Sequence, residues 1–210
     1  MRTLKALLCL SALAGGLAVS QAQNVYSLNV VGYVNVPVVG ASGFTMIANP
    51  LNAANNTIGA LIPTPPDFTT IYKFAGAGFV TCNFVFGAWD DGTFTLNPGE
   101  GCIVQSPSPF TTTFVGEVMQ GTLNNAFPAG YSIRASMVPQ AGTLTALGLT
   151  PASLTDFDTV YQYDSVAQGY VANSLVFGSW SPAEPTLKVG ESIWLQTAAA
   201  GTWTRTFTVQ

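Results

Sequence analysis

The stretch from Gly78 to Gln105 returns, position by position, near the end of the chain. Gly78-Phe79-Val80 recurs as Gly169-Tyr170-Val171, and Phe86-Gly87-Ala88-Trp89 as Phe177-Gly178-Ser179-Trp180. Gly99-Glu100 recurs as Gly190-Glu191, and Gln105 as Gln196. Each pair is 91 positions apart. An offset held without a gap over so many positions marks an internal duplication. Whatever this chain folds into, it must build one unit twice.

The flanking sequence extends the match. Gly130 to Ala135 resembles the segment from Gly43, Pro139 stands near the place of Pro50, and Val160-Tyr161-Gln162-Tyr163 repeats Ile71-Tyr72-Lys73-Phe74. Val25–Val38, Phe44–Ala48, Thr69–Phe74, Phe79–Phe86, Thr93–Leu96, Gly101–Gln105 and Phe110–Val118 are rich in β-branched and aromatic residues and bounded by Gly, Pro or Asn. That pattern predicts strands. Asn97-Pro98-Gly99-Glu100 carries the type II turn signature, with proline at the second position and glycine at the third. Thr57–Ile62 before Pro63, and Thr145–Leu149 before Pro151, predict one helical turn per copy. Crossover helices for a parallel sheet are missing.

The expected fold is therefore all-β: two tandem, internally duplicated β-sandwich or flattened-barrel lobes with one short helical turn each. The lobes are expected at residues 23–118 and 119–210. Val31-Gly32-Tyr33-Val34 also resembles Val115-Gly116-Glu117-Val118. This predicts a continuous strand shared at the junction, an N-terminal strand over Val25–Val30 without a counterpart, and a last strand (Trp203–Val209) without a successor.

Arg2 and Lys5 precede an apolar run, Ala6–Val19, that ends in Ser20-Gln21-Ala22. This has the form of a secretory signal over residues 1–22, cleaved after Ala22, with Cys9 inside the discarded piece. The run is too short to span a bilayer core of ~30 Å, and no other stretch is apolar enough, so no transmembrane segment is expected after cleavage. An extracellular, outer-surface or periplasmic location follows. Beyond the signal, four basic residues (Lys73, Arg134, Lys188, Arg205) face ten acidic ones. With no basic patch to neutralise phosphates, nucleic acid is not an expected partner. The chain has no histidine, which removes Ser-His-Asp and Cys-His catalysis and His-ligated metals.

Three sets of motifs, Gly43-Phe44-Thr45-Met46-Ile47-Ala48-Asn49-Pro50, Ile71-Tyr72-Lys73-Phe74 and Leu96-Asn97-Pro98-Gly99-Glu100-Gly101, resemble those of a group of exported Gram-negative proteins built from tandem β-sandwich-like repeats. Val115–Val118 and Arg134–Gly142 are similar to that group as well. The resemblance implies a secreted β repeat protein. It implies no activity, since the motifs are turns and strands, and Cys102 stands where the group usually has an aromatic.

Trp89 and Trp180 are equivalent between copies and read first as packing residues, second as sugar-stacking platforms. Trp194 and Trp203 have no tryptophan counterpart, and Trp203, near the chain end, is the stronger candidate for a ligand contact. Asp90 and Asp91 are weak calcium candidates; ordinary turn aspartates are the plainer reading. Cys82 and Cys102 fit either a disulfide in an oxidising compartment or two buried thiols. Glu100 and Glu191 are expected to accept hydrogen bonds at their own turns, too far apart to serve as a glycosidase pair. No cofactor is expected. The leading expectation is a non-enzymatic structural or interaction protein of the envelope or extracellular matrix, self-associating through its terminal strands or binding a surface polysaccharide or protein. The alternative is a carbohydrate-binding module using exposed aromatics.

Overall fold

The computed structural model describes residues 30–209. The expected signal segment, Cys9 and Val25–Asn29 lie outside them. Within them the regular structure is almost all strand, in two lobes of one plan.

The first lobe contains β1 (Val31–Val38), β2 (Gly43–Ala48), a single-turn helix α1 (Ile58–Leu61), β3 (Thr69–Phe74), β4 (Phe79–Val85), β5 (Ala88–Trp89), β6 (Gly101–Ser106) and β7 (Phe110–Glu117). Strands β2-β6-β3-β4-β5 form one antiparallel sheet, while β1 and β7 pair as a separate two-stranded ribbon. Alternation aims Val36 and Val38 of β1, Ile47 of β2, Ile71 of β3, Cys102 and Val104 of β6 and Phe114 of β7 into one core. The ribbon thus covers the sheet's inner face, and α1 adds Ile58 and Leu61. Pro63 follows soon after, where the helix can no longer continue.

The second lobe repeats this with β8 (Gly121–Phe127), β9 (Gly130–Ala135), β10 (Gly142–Thr143), β11 (Thr159–Asp164), β12 (Gly169–Val176), β13 (Ser179–Ser181), β14 (Thr186–Leu187), β15 (Ser192–Thr197) and β16 (Gly201–Phe207). Its sheet runs β9-β15-β11-β12-β13, and its ribbon is β8 with β16. The helical turn expected at Thr145–Leu149 is a tight turn bonded Leu147 N to Thr143 O, and Pro151–Ser153 forms a short 3-10 turn instead. Thr93–Leu96 contributes only an isolated bridge, Thr95 to Thr57, and no strand.

Two expectations at the chain ends are corrected. The final strand is not left without a partner: β16 pairs with β8 from Gly201↔Phe127 to Phe207↔Gly121. β1, which follows the expected N-terminal strand, pairs along its whole length with β7; Val25–Asn29 lie outside the described residues. Nor do the copies share a strand. β7 ends at Glu117 and β8 begins at Gly121, whose φ of +87° turns the backbone where glycine alone is unstrained. Each lobe closes its last strand on its own first strand.

The lobes meet through the outer faces of their two five-stranded sheets, around a pseudo-two-fold axis. Ala48 N donates to Gly190 O at 2.8 Å, and at the equivalent place Ala135 N donates to Gly99 O at 3.0 Å. The bridges Ile47↔Glu191 and Glu100↔Arg134 repeat the same exchange. Gly101 of β6 and Ser192 of β15 are equivalent residues and touch each other, so the axis passes between them: a Cβ on Gly101 would lie 2.4 Å from Ser192 Cβ. The type II turn is confirmed at the heart of this contact. Gly99 has φ +88°, Gly190 has φ +77°, and Glu100 N donates to Asn97 O at 3.0 Å.

Candidate functional site

The strand Ile71-Tyr72-Lys73-Phe74 aims Ile71 into the core, so period-two alternation turns Tyr72 and Phe74 outward. Its counterpart turns out Tyr161 and Tyr163 while Val160 is buried. Cross-strand partners add Phe79 opposite Phe74 and Tyr170 opposite Tyr163. An outward aromatic face is a poor surface for water. In this chain the two faces are turned toward each other across the pseudo-two-fold axis.

Trp194 of β15 sits at the centre. Its ring lies 4.9 Å from Phe74, 5.9 Å from Phe79 and 6.1 Å from Tyr131, edge to face each time. The first two belong to the opposite lobe. Such pairs are worth ~0.5–1.5 kcal/mol each beyond the area they bury. Trp194 Nε1 donates to the Tyr170 hydroxyl at 3.1 Å. Between these rings lies an open cleft of about 500 Å³, lined by Phe74, Phe79, Tyr131, Tyr161, Tyr170 and Trp194.

A second cleft of about 480 Å³ is its mirror under the duplication. Tyr163, Phe44, Tyr72 and Ile103 stand where Phe74, Tyr131, Tyr161 and Trp194 stand in the first, and Phe79 and Tyr170 line both. Besides the exchanges of Phe74 for Tyr163 and Tyr131 for Phe44, the clefts differ in two larger respects. Ile103 replaces the indole, and Gln168 closes one side. Gln168 behaves like a strand residue toward the other lobe, accepting from Phe44 N at 2.8 Å and donating to Phe44 O at 3.0 Å. It comes from the β11–β12 turn, which is two residues longer than the β3–β4 turn between the equivalent aromatics Phe74 and Phe79.

Polar groups in the clefts are paired in the same way twice. Tyr72 OH donates to Gln105 Oε1 at 2.9 Å, and Tyr161 OH to Gln196 Oε1 at 2.8 Å. Burial, then the neighbouring Tyr131, raises the Tyr161 phenol above its ordinary pKa; burial, then Tyr170, does the same for Tyr163. Both therefore remain protonated donors at neutral pH. Phe79, Tyr131 and Tyr170 each keep about half of their surface open. No carboxylate lines either cleft. The arrangement can stack a flat ring and hydrogen-bond its substituents; it holds no pair of acids for hydrolysis.

Of the four tryptophans singled out from sequence, only Trp194 belongs here. Trp203, the stronger candidate, is corrected: it is 2% exposed, and its Nε1 donates to Leu147 O at 2.8 Å inside the second core. The reason is a two-residue shift along the ribbon. Lobe one fills its core with Phe114, whereas lobe two uses Trp203 at the place of Thr112 and puts Arg205 at the place of Phe114. Alternation keeps both positions on the same face. Trp89 donates to Ile62 O at 2.8 Å and stands edge-on to Phe84 at 5.3 Å, while Trp180 packs against the second core.

Cys82 and Cys102 are free and buried, which corrects the disulfide alternative. They lie on β4 and β6, and β3 runs between these strands: Ile71 pairs with Cys82 on one side and Val104 on the other. Two strand spacings are ~9.5 Å, beyond the Cα separation of ~7 Å that a bridge allows. Burial pushes the thiols up to about 11 and about 12. The Asp90 carboxylate accepts from Asn83 N at 2.8 Å and Nδ2 at 2.7 Å; Asp91 accepts from Thr93 N at 2.9 Å and Oγ1 at 2.7 Å. Both close their own loop, and among the described residues no three acidic, Cys or His groups gather for a metal. Glu100 accepts from Asn97 N at 2.8 Å and pairs with Lys73 at 2.8 Å; Glu191 accepts from Lys188 N at 2.9 Å and Gln162 Nε2 at 3.2 Å. Each serves its own turn. Each turn also packs on the opposite lobe, Gly99 against Asn125 and Met137 and Gly190 against Val36.

Phe44, Phe79, Tyr131, Tyr161, Tyr170 and Gln168 were not singled out from sequence. A signal was present: in both copies the β3-type strand is aromatic on the face opposite its buried aliphatic residue. No family profile matches the chain, and neither a curated protein nor a solved structure does.

Proposed function

We propose that the protein is a non-enzymatic recognition protein, of an exported kind, that binds carbohydrate in the twin clefts between its lobes. The observation that carries this reading is the repeated combination of half-open aromatic rings with Tyr–Gln pairs. Pyranose rings present an apolar face that stacks on aromatics and a rim of hydroxyls that amides and phenols can bond. Two equivalent clefts suit a chain of repeating sugar units better than a single small molecule. The low charge of the cleft walls favours a neutral glycan. Assembly through exchanged terminal strands finds less support at the C-terminal end, since β16 already pairs with β8 of its own lobe.

A glycan array followed by calorimetry on the best hit tests this. Tyr170→Ala and Tyr131→Ala are expected to weaken binding about tenfold or more, on the scale of ~1–3 kcal/mol for a lost stacking ring. An unchanged melting temperature would show that folding is intact. Silence across the array, or binding indifferent to both variants, overturns the proposal.

A further inference from the structure

Among the described residues, seven non-glycine positions have positive φ, and four of them are phenylalanines: Phe68 (+68°), Phe86 (+53°), Phe157 (+74°) and Phe177 (+49°). They are two positions, each occupied in both lobes. All four are exposed, at 66%, 89%, 70% and 84%. A bulky side chain at positive φ is disfavoured, because Cβ crowds the carbonyl. Phe86-Gly87 and Phe177-Gly178 close the two-residue hairpins β4–β5 and β12–β13, with both residues of each at positive φ. That is the type I′ turn, for which Asn-Gly would be the unstrained choice. Each lobe therefore accepts backbone strain and an exposed aromatic ring at one spot, and the core gains nothing from either.

The spot is built, not loose. Gly87 N donates to Asp67 Oδ1 and Gly178 N to Asp156 Oδ1, both at 2.9 Å. Phe68 N donates to Phe84 O at 2.7 Å and Phe157 N to Leu175 O at 2.6 Å. The aspartate thus ties the loop carrying one phenylalanine to the turn carrying the other. In lobe two the rings stand edge to face at 6.5 Å.

We infer that these phenylalanine tips insert into a neutral lipid surface. Two rings per tip cover far less than the ~1,200 Å² a stable protein interface takes. A lipid interface needs no matching shape and takes aromatic rings one at a time. The only ionisable side chain in either tip is an aspartate, and neither 63–70 with 86–89 nor 150–157 with 177–180 contains Lys or Arg. Anionic headgroups are thereby disfavoured and zwitterionic ones accepted. Two tips on one molecule add avidity when both reach the same surface.

Flotation of the protein with phosphatidylcholine vesicles tests this, comparing wild type with Phe86→Asn, Phe177→Asn and the double variant. Wild type is expected to float, and the double variant to bind about tenfold more weakly or worse. Both substitutions should leave the melting temperature unchanged or raise it, because Asn suits the turn. Wild type that stays in solution, or a double variant that floats as well as wild type, overturns the inference. So does self-association in sedimentation velocity that the double variant abolishes while vesicles are ignored, since the occupant would then be a second copy.

Discussion

Gly101→Ala probes the contact on which the clefts depend. The new Cβ would lie 2.4 Å from Ser192 Cβ, 2.5 Å from Ile133 Cγ2 and 2.7 Å from Ser192 Oγ. Carbon atoms rest at ~3.5–4.0 Å, so the overlap with the two carbons is about 1 Å or more. A Cβ cannot rotate away from its own backbone, and Ile133 and Ser192 are both buried. The lobes must part, or β6 must shift. Inserting a methyl into a packed interior costs ~1–3 kcal/mol, and with one partner atom fixed by its backbone about 3 kcal/mol is expected. At roughly 2–4 °C per kcal/mol for a chain of this size, the melting temperature should fall by roughly 6–12 °C. Gly78→Ala, with nothing within 4 Å and no positive φ, is the neutral control. Gly87→Ala, with open space but φ +79°, should cost only about 1 kcal/mol. Ser192→Gly removes the facing Cβ and a hydroxyl that finds no partner among the described residues. Combined with Gly101→Ala it should recover part of the loss, leaving the Ile133 clash. The assay is thermal and urea unfolding followed by tryptophan fluorescence, with the coupling taken from the double-mutant cycle. Gly101→Ala as stable as wild type, or two substitutions that simply add, would refute the contact and the lobe arrangement built on it.

Trp203→Ala should cost ~3–5 kcal/mol as a core cavity, while Trp194→Ala should cost less by urea titration yet abolish glycan binding in the first cleft. Cys82 and Cys102, buried and with thiols raised to about 11 and about 12, should resist iodoacetamide at pH 8 in the native protein and react fully in denaturant. A reducing agent should leave the melting temperature unchanged. Hydrogen bonds from the Asn83 side chain and backbone hold the Asp90 carboxyl below its usual value. A depressed carboxyl stabilises above its unfolded pKa of ~3.9 and loses that contribution as pH falls through the folded value. Asp90→Asn should therefore flatten the acid limb of the stability profile below about pH 4, measured as melting temperature against pH.

The sequence carried the periodicity of the fold well, because strand alternation and turn chemistry are local. Asn97-Pro98-Gly99-Glu100 names its own turn type, and Thr57–Ile62 its own helical stop. Pairing is not local. Whether β16 ends free or returns to β8 depends on which strand is near in space, and nothing in Trp203–Val209 encodes that. Cys82 and Cys102 look adjacent only until β3 is known to lie between them. Trp203 misled for a subtler reason: it has no tryptophan counterpart and lies near the chain end, yet within an alternating strand a core slot can move by two residues without changing face, from Phe114 in one copy to Trp203 in the other. The site was half legible. The aromatic face of Tyr72 and Phe74 repeats in Tyr161 and Tyr163, but a repeated outward aromatic face signals only that something covers it. That the cover is the other copy, incompletely, is a property of the pair.

The incomplete cover links duplication to site. If the two faces matched perfectly, burying them would leave a sealed interface and no cleft. The chain breaks the symmetry at a few places. Trp194 stands opposite Ile103 in the duplication, Tyr131 opposite Phe44, and the two added residues of the β11–β12 turn bring Gln168 onto Phe44. Gln168 closes one cleft on that side; the shorter turn at Gly76–Gly78 leaves Tyr131 half-open in the other. The two clefts should therefore differ in affinity, with the Trp194 cleft the stronger. Calorimetry with a neutral oligosaccharide from the array would then give two classes of site. Trp194→Ile, which copies Ile103, should weaken the first cleft and narrow the gap between the two classes, and Ile103→Trp should strengthen the second. Identical affinities in wild type would mean that the ligand ignores the residues on which the copies diverged, and the clefts would be reduced to the seam between two packed lobes.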